Sequence, residues 1–516
     1  MRAQTATSLF EPHDFPDEGP EKWIEANAAG ARIGYDPWLH TPRQIERLKK
    51  AAGKAGAELI ACATNPIDTV WADQPDAPSA PAVVHPFALS GEESVSKRAR
   101  IAAAVKAAGA DAVVLTLPDS ICWLFNIRGT DIAYTPFVLC FALLKTDGTA
   151  DLFLDATRIS PELAAHLGPA VTVLSPDTLL PALAEFADKT VAADPATAAA
   201  AIFDALAEVG AKTRNLPDPC QVPKACKNPV ELEGARKAHI RDGAAMANFL
   251  AWFAAEAPKG QLTEIDAALK LEACRKATGS LADLSFDSIS AAGAHAALPH
   301  YRVTVSSNAT IKPGDIYLID SGGQYPDGTT DITRTAIVGE ATAEMKDRFT
   351  RVLKGHIALA TAKFPEGTRG VELDAFARRP LWEAGLDFDH GTGHGVGSYL
   401  SVHEGPQRIA KALIDQPLLA GMVISDEPGY YKEGAYGIRT ENLLAVRKLA
   451  GSYERLMLQF EVLTLCPIDL NLIEPARLAP AERDWLNAYH TRVRDTLSEF
   501  VAEETRPWLD QATRAI

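Results

Sequence analysis

Apolar residues recur along the chain with two spacings, one typical of strands and one typical of amphipathic helices. Over the first 75 residues they predict strands at 31–35 and 58–62, with a helix at 42–53 between them. The segment 73–86 is polar and rich in proline, which is typical of a linker. We therefore expect a small α/β domain at the start of the chain.

A second α/β region follows this linker. Thr146-Asp147-Gly148 lies between two apolar runs and predicts a β-hairpin. The segment 216–227 contains prolines and is interpreted as a second linker. The other predicted elements are a helix at 92–108, a buried strand at 111–117, hairpin strands at 136–145 and 150–155, and strands at 171–174 and 190–193.

The pattern changes at Asn228. Asn228 as N-cap, Pro229 at the first helical position and Glu231 at N3 predict a long helix that ends near residue 256. A second helix is predicted from Thr263, again with an acidic residue at N3. The remainder predicts strands and glycine-rich turns over 285–465, helices near 343–363 and 371–384, and two helices over 480–515. The chain then divides into a partial α/β domain (1–78), a middle α/β domain (79–227) and a large α+β domain (228–516).

Composition narrows the possible classes of function. The 516 residues are 47% hydrophobic and carry a formal net charge of -16, which argues against nucleic acid as the main partner. The seven cysteines are scattered without CxxC spacing, so neither a disulfide framework nor a zinc ribbon is expected. We find no signal-peptide pattern and no apolar run long enough to span a membrane. We therefore predict a cytoplasmic protein without a membrane partner.

Two aspartates mark the first candidate site. Strand-like runs flank the turn signal Tyr325-Pro326-Asp327-Gly328, so a hairpin would place Asp320 and Asp331 almost opposite each other. Asp320 follows an apolar run and is expected to be buried. Two buried, adjacent carboxylates need a cation or a shared proton. The alternative is a pair of solvated hairpin aspartates.

Three histidines lie in the glycine-rich segment HGTGHGVGSYLSVHEGP, at His390, His394 and His403. The spacing does not match HExxH, and the glycines do not match a dinucleotide fingerprint. A single histidine would more often be a hydrogen-bonded core residue. Three histidines in one glycine-rich loop instead favour a functional site.

Further charged residues lie at strand ends. Glu427 ends a strand before Pro428, and Arg439 and Glu441 share one strand face. Each alone could form a surface ion pair. Together with the aspartates and a histidine, these glutamates favour a hard or borderline divalent ion such as Mn²⁺, Co²⁺ or Zn²⁺. Four carboxylates exceed the charge of one ion, so two metal ions are predicted.

The blocks LIDSGGQYPDGTTDITRT, HGTGHGVGSYLSVHEGP, DEPGYY and GIRTEN resemble the pita-bread metallopeptidases of family M24. The chain most resembles the three-domain aminopeptidase P (Xaa-Pro aminopeptidase) subgroup. With WLFNIRG in the middle domain and DWLNAYH in the C-terminal stretch, the resemblance covers essentially the whole chain. It implies an α+β fold in which α/β creatinase-like N-terminal domains precede a C-terminal pita-bread catalytic domain. It also implies peptide substrates with proline in the second position, two Mn²⁺ ions and a homodimer.

The resemblance also implies a role for each site residue. Asp320 matches a terminal ligand of one ion, Asp331 and Glu441 match bridging carboxylates, and His394 and Glu427 match ligands of the other ion. Glu427 further matches the glutamate that handles the proton of the attacking water. The remaining positions match residues that bind substrate or steady the site, namely His300, His390, His403, Tyr431 and Arg439.

The start of the chain departs from this pattern, because MRAQTATSLFEPHDF resembles the middle of the family's first domain. We therefore expect a truncated first domain with an unpaired sheet edge. Other activities remain open. A prolidase would cleave only Xaa-Pro dipeptides, a creatinase-like enzyme would need no metal, and a non-catalytic pita-bread module would only bind peptides or histones.

Overall fold

The structure is a computed structural model that describes residues 5–6, 8–13, 15, 17–451 and 453–516. The N-terminal segment behind the expectation of a truncated first domain lies partly outside these residues. The described chain forms two compact units. Of these described residues, the first unit comprises those within 1–84, 94–127 and 139–220, and the second comprises those within 85–93, 128–138 and 221–516.

Helices and strands alternate through the first half of the chain, and strands dominate much of the second. The α-helices are α1 (Pro20–Asn27), α2 (Pro42–Lys54), α3 (Pro66–Val70), α4 (Phe87–Ser90), α5 (Ser94–Ala107), α6 (Pro118–Phe125), α7 (Pro161–Leu167), α8 (Leu179–Ala182), α9 (Ala200–Glu208), α10 (Gln221–Ala225), α11 (Pro229–Glu256), α12 (Glu264–Lys276), α13 (Ala343–Ala360), α14 (Gly370–Trp382), α15 (Pro480–Leu497) and α16 (Arg506–Ala512). The strands are β1 (Arg32–Tyr35), β2 (Glu58–Ala61), β3 (Val83–Val84), β4 (Ala112–Leu115), β5 (Ile127–Arg128), β6 (Phe141–Lys145), β7 (Ala150–Phe153), β8 (Val171–Leu174), β9 (Thr190–Ala193), β10 (Lys212–Asn215), β11 (Asp283–Leu284), β12 (Ile289–Ala292), β13 (Ile316–Ser321), β14 (Gly323–Tyr325), β15 (Gly328–Thr329), β16 (Ile332–Ile337), β17 (Lys363–Pro365), β18 (Gly393–Gly395), β19 (Glu404–Ile409), β20 (Val423–Asp426), β21 (Gly429–Lys432), β22 (Tyr436–Arg439), β23 (Asn442–Lys448) and β24 (Met457–Val462).

The first unit contains two sheets. The larger has the strand order β10-β9-β4-β6-β7-β8, and its β6–β7 hairpin confirms the turn predicted at Thr146-Asp147-Gly148. The smaller sheet pairs β1 with β2 in parallel. Apolar residues such as Ile24, Ala51 and Ala52 are buried beneath it, so α1 and α2 pack on this sheet as amphipathic helices.

The second unit is built on the long helix α11 and on antiparallel sheets. The N-terminus of α11 carries the predicted capping box, in which Asn228 accepts from the backbone N–H of Glu231 and the Glu231 carboxylate accepts from the N–H of Asn228. The six-stranded sheet has the order β17-β24-β23-β20-β18-β19, and a three-stranded sheet has the order β12-β13-β16. The core of this unit includes Phe349, Leu353, Ile424 and Leu444. These two sheets supply most of the candidate site.

The segment 216–227 differs from the predicted linker. Residues Gln221–Ala225 form the short helix α10, and Lys224 and Lys227 are buried. Within the second unit, the backbone N–H of Lys227 donates to Gly421 O at 2.9 Å. Proline and lysine suggest solvent exposure when only the local sequence is considered, but here distant partners bury the lysines. The three-domain division at 78 and 227 stays a prediction.

Among the described residues, no helix combines the length and the apolar character needed to cross a lipid bilayer.

Candidate active site

A cleft of about 910 Å³ in the second unit brings the predicted site residues together. It is lined by the five side chains predicted as metal ligands, and by His300, His390, His403 and Arg439. Tyr431 is not among the lining residues and instead contacts Arg439 and His390 behind the wall. The structure thus brings together residues that are far apart along the chain.

The two aspartates come from a hairpin. In the antiparallel pair β13–β16, Asp320 lies opposite Thr333, and Asp331 immediately precedes β16. In a separate sheet, β14 pairs with β15 so that Tyr325 lies opposite Gly328, which confirms the predicted turn. Asp320 and Asp331 therefore lie diagonally across the pair, and both are buried.

His394 lies on β18, between two strands that approach it closely. A Cβ atom at Gly393 would lie 2.0 Å from Ser425 O, and one at Gly395 would lie 2.5 Å from Glu404 O. Both positions therefore require glycine. The Nδ1 atom of His394 donates to Gly395 O at 2.9 Å, because a carbonyl oxygen can only accept. The Nε2 lone pair is then left facing the carboxylates.

The carboxylates around this nitrogen lie close to it. His394 Nε2 is 3.5 Å from Glu427 Oε1 and 3.6 Å from Asp331 Oδ2. Ligand atoms of Asp331, His394 and Glu441 all lie within 4.8 Å of one another. Burial and the neighbouring His403 lower the pKa of His394 to about 3, so its imidazole is neutral at pH 7 and can act as a ligand.

The buried carboxylates repel each other. Burial and the nearby Glu441 and Asp320 raise the pKa of Asp331, and burial, Glu427 and Asp320 do the same for Glu441. Burial and Asp320 raise the pKa of Glu427 to about 8, against the opposing charge of Arg439. Asp320 Oδ1 and Glu441 Oε1 are buried and accept no hydrogen bond from the described residues. This donor set fits divalent cations, which would neutralise the charge and coordinate the unpaired oxygens.

Arg439 links one aspartate to a histidine. It donates to Asp320 Oδ2 at 2.7 Å and to Tyr431 Oη at 2.6 Å. The Tyr431 hydroxyl is 2.8 Å from His390 Nε2, and His390 Nδ1 donates to Gly391 O. The hydroxyl must therefore donate to His390, whose pKa is lowered to about 3 by burial and by Arg439. Burial raises the pKa of Tyr431 to about 12, which keeps this hydroxyl protonated.

Two other histidines face the open part of the cleft. His300 and His403 are both exposed. The ring centroid of His403 lies 4.5 Å from that of His394, with the planes at 75°. Partial loss of hydration inside the cleft lowers the pKa of His403 despite the Asp320 carboxylate, so its imidazole is neutral at neutral pH. Both rings therefore present hydrogen-bonding nitrogen atoms to the cleft.

Several supporting residues were not found from the sequence. Thr333 donates to Glu441 Oε2 at 2.8 Å, and Ser425 donates to Glu427 Oε1 at 3.2 Å. Thr333 lies two residues after Asp331 and could have been found by strand alternation. Ser425 likewise lies two residues before Glu427.

Behind the ligands lies a buried histidine with no sequence signal of its own. His356 Nδ1 is 3.0 Å from Asp426 Oδ2, and its Nε2 accepts from Asn442 at 3.0 Å. Asp426 precedes Glu427 and Asn442 follows Glu441. One imidazole on α13 thus contacts the chain neighbours of two candidate ligands. In the sequence, His356 is simply one of many residues on the buried face of α13, so nothing marks it as a neighbour of the site.

We expect Thr333→Val to weaken metal binding by about 10- to 100-fold, the usual cost of removing a hydrogen-bond partner from a ligand. Valine keeps the shape of threonine but cannot donate to Glu441. Metal titration by calorimetry measures the effect. The matched control is Thr350→Val, another buried threonine, whose hydroxyl bonds to Lys346 O on α13. Equal metal affinities for wild type and Thr333→Val would contradict the assigned contact.

Comparisons with known proteins match one family over nearly the whole chain. The profile described as "Metallopeptidase family M24" matches residues 233–448, "Creatinase/Prolidase N-terminal domain" matches 73–231, and "C-terminal region of peptidase_M24" matches 456–516. The chain is 39% identical to Aminopeptidase P1 of Arabidopsis thaliana, over 96% of this chain and 85% of that protein. It is 41% identical to a probable Xaa-Pro aminopeptidase P of Paracoccidioides brasiliensis, over 96% of this chain and 84% of that protein.

Solved structures agree with these relatives. X-prolyl aminopeptidase of Caenorhabditis elegans, described as a cytosolic enzyme with a di-nuclear active site, superposes with a TM-score of 0.91 at 34% identity, covering 98% of this chain and 84% of that one. Prolidase of Pyrococcus furiosus superposes with a TM-score of 0.56 at 26% identity, covering 70% of this chain and 98% of that one. The predicted creatinase-type N-terminal region and pita-bread domain are confirmed. The chain therefore belongs to the Xaa-Pro aminopeptidase (aminopeptidase P) family of the M24 metallopeptidases.

Proposed function

We propose that this protein is a Xaa-Pro aminopeptidase that uses two divalent metal ions, Mn²⁺ by preference, to release the first residue of peptides with proline in the second position. The observation that carries the proposal is the convergence of two aspartates, two glutamates and a histidine in one cleft. The relatives named Xaa-Pro aminopeptidase cover nearly the whole chain at about 40% identity, which supports it further.

The ligands are assigned as the sequence predicted. Asp320 would bind one ion, His394 and Glu427 the other, and Asp331 and Glu441 would be shared. Four oxygen donors with one imidazole suit Mn²⁺, with Zn²⁺ or Co²⁺ as alternatives. When bound, two such ions lower the pKa of a water molecule and polarise the substrate carbonyl.

Glu427 is placed to move protons during hydrolysis. It accepts a proton from the attacking water at a carboxylate oxygen and returns it to the departing proline nitrogen. That nitrogen carries no hydrogen in the peptide, so the delivered proton is the one that makes the released proline a secondary amine. Ser425, which donates to Glu427 Oε1, orients the carboxylate for both transfers.

The histidines bind the substrate around this centre. His403 and His300 are exposed in the cleft and can donate to carbonyl oxygens or to the developing oxyanion. A proline nitrogen offers no N–H to the enzyme, so the ring must be recognised by shape against imidazole and apolar walls. His390, held by Tyr431 and Arg439, would complete the wall on the other side.

We expect His403→Ala to retain its metal but lose about 10²-fold or more in kcat, the scale of one lost transition-state donor. Steady-state kinetics with metal analysis of the same sample measures both quantities. A change in KM alone would place His403 in ground-state binding instead. An unchanged kcat/KM would remove it from the mechanism.

The decisive experiment strips the protein with EDTA and restores Mn²⁺ while following two peptides. We expect metal-dependent release of arginine from Arg-Pro-Pro. Cleavage of Gly-Pro without cleavage of the tripeptide would identify a prolidase. Metal binding without hydrolysis of either would favour a non-catalytic peptide-binding module, and full activity after EDTA would exclude the two-metal mechanism.

We further propose a cytoplasmic homodimer. The C. elegans relative is described as cytosolic, which supports the location. The resemblance to three-domain aminopeptidases supports the dimer. Light scattering after gel filtration measures the mass, and a value near 55.3 kDa would show a monomer.

A further inference from the structure

Three buried charged side chains meet beside the cleft. Lys224 Nζ lies 2.6 Å from Glu404 Oε1, and Lys227 Nζ contacts Glu404 Oε2. The three side chains are between 0% and 2% exposed. Each oxygen of one carboxylate therefore has its own ammonium donor, in a place without water contact.

The burial of these charges is not by itself evidence of a stabilising role. Taking three charges out of water is costly, and replacing a buried ion pair by apolar side chains is often neutral or stabilising. The arrangement does, however, fix a geometry. With both oxygens held from different points of the chain, the Glu404 carboxylate cannot rotate without breaking a charge-assisted hydrogen bond.

The Glu404 backbone lies where the strand beside His394 is irregular. Along β18 and β19, Gly393 pairs with Ile409 and His394 with Arg408, but Gly395 pairs with Glu404. The residues between Glu404 and Arg408 therefore bulge out of the ladder. A bulge re-aims the side chains next to it.

The residue before Glu404 is His403. Its ring is exposed in the cleft and packs against the His394 ring at 4.5 Å, edge to face. Its carbonyl accepts from the Ser401 hydroxyl at 3.1 Å. On the other side, its chain neighbour is Glu404, whose carboxylate contacts the two lysines.

We propose that Lys224 and Lys227 clamp Glu404 and thereby position His403 over the metal centre. The proposal rests on the proposed function and adds two lysines and a glutamate to the residues that determine its rate. They are positioning residues, because they act through His403 and line no part of the cleft. The segment first interpreted as a linker thus supplies both ammonium groups of the clamp.

The test is a double-mutant cycle with His403. We expect Glu404→Gln and Lys227→Met each to lower kcat by about 10- to 100-fold, the effect of misplacing a catalytic group by about 1 Å, with little change in KM or metal content. In the His403→Ala background the same changes should lower kcat by no more than about twofold, because the imidazole that they position is absent. If each change lowers kcat by the same factor with and without His403, the proposal is overturned. Unchanged kcat in the single variants would also overturn it.

Controls separate the clamp from a general loss of folding. Lys354→Met removes another lysine–glutamate pair of the same unit, with Glu482 at 2.5 Å, and should leave kcat unchanged. Lys227→Arg keeps the charge and should recover part of the activity lost in Lys227→Met. If Lys227→Met does not fold, Lys224→Met and Glu404→Gln carry the same cycle.

A second readout does not depend on peptide hydrolysis. Diethyl pyrocarbonate modifies exposed neutral imidazoles, and peptide mapping reports the rate at each histidine. In Glu404→Gln we expect faster modification of His403, because its ring leaves His394, and an unchanged rate at His300. Equal rates at His403 in variant and wild type would overturn the proposal. If the wild type cleaves no Xaa-Pro peptide, the proposed function is wrong. The labelling rates still test whether Glu404 positions His403.

Discussion

Glu441→Gln is expected to release the metal and abolish hydrolysis, while the metal-free protein stays at least as stable as the wild type. In the metal-free state, Glu441 is buried among other carboxylates that raise its pKa. Removing its charge relieves that repulsion. The variant also loses a metal ligand. We expect its metal affinity to fall by more than ~10²-fold, the effect of removing only the hydrogen-bond partner of a ligand.

The measurement is thermal unfolding with and without Mn²⁺, together with metal analysis and kcat/KM. Wild type should be stabilised by Mn²⁺ through its preferential binding to the folded state, and the variant should not. Asp331→Asn should behave in the same way, since it lies in the same cluster. A variant that melts well below the EDTA-treated wild type, or one that keeps its metal and turnover, would contradict the assignment.

Arg439→Met is expected to destabilise the metal-free protein by about 3–5 kcal/mol, because it leaves a buried carboxylate without its partner. Arg439 donates to Asp320 and Tyr431, and its Nε donates to Thr333 Oγ1 at 3.1 Å. With Mn²⁺ present, kcat should still fall by about 10²-fold, since His390 and Tyr431 lose the group that orients them.

Urea unfolding in EDTA measures the stability. The matched control is Arg236→Met, which removes an arginine that binds both oxygens of Glu461 but is 33% exposed. Exposed pairs contribute about 0–1 kcal/mol, so this variant should remain close to wild type in stability and activity. Similar losses for both variants would mean that burial of Arg439 has no special role.

Local patterns carried most of the prediction. The α11 and α12 helices were found from their caps, and the β6–β7 and β14–β15 hairpins from their turn residues. In each case the signal and the structure lie within a few residues. The carboxylates and His394 were identified because their chemistry is unusual beside apolar strands, and a resemblance to known sequences then gave them roles.

Long-range contacts were not predictable in this way. Lys224 and Glu404 are far apart in sequence, so no periodicity connects them, and local composition favoured a linker. His356 likewise looked like any helical residue, although it contacts Asn442 and Asp426. Contacts between residues that are distant in the sequence have no local sequence signal near either partner.

The placement of the ligands has a consequence for how the enzyme is made in the cell. Asp320 lies on β13 and Asp331 directly precedes β16, whereas His394 lies on β18 of the six-stranded sheet and Glu427 directly follows its strand β20. Neither the hairpin nor the strands of the larger sheet carry all the donors, so the set is incomplete until both segments have been synthesised. We therefore expect full binding of divalent metal, and with it hydrolysis, only in chains that contain both segments, and we expect fragments that lack either one to be inactive.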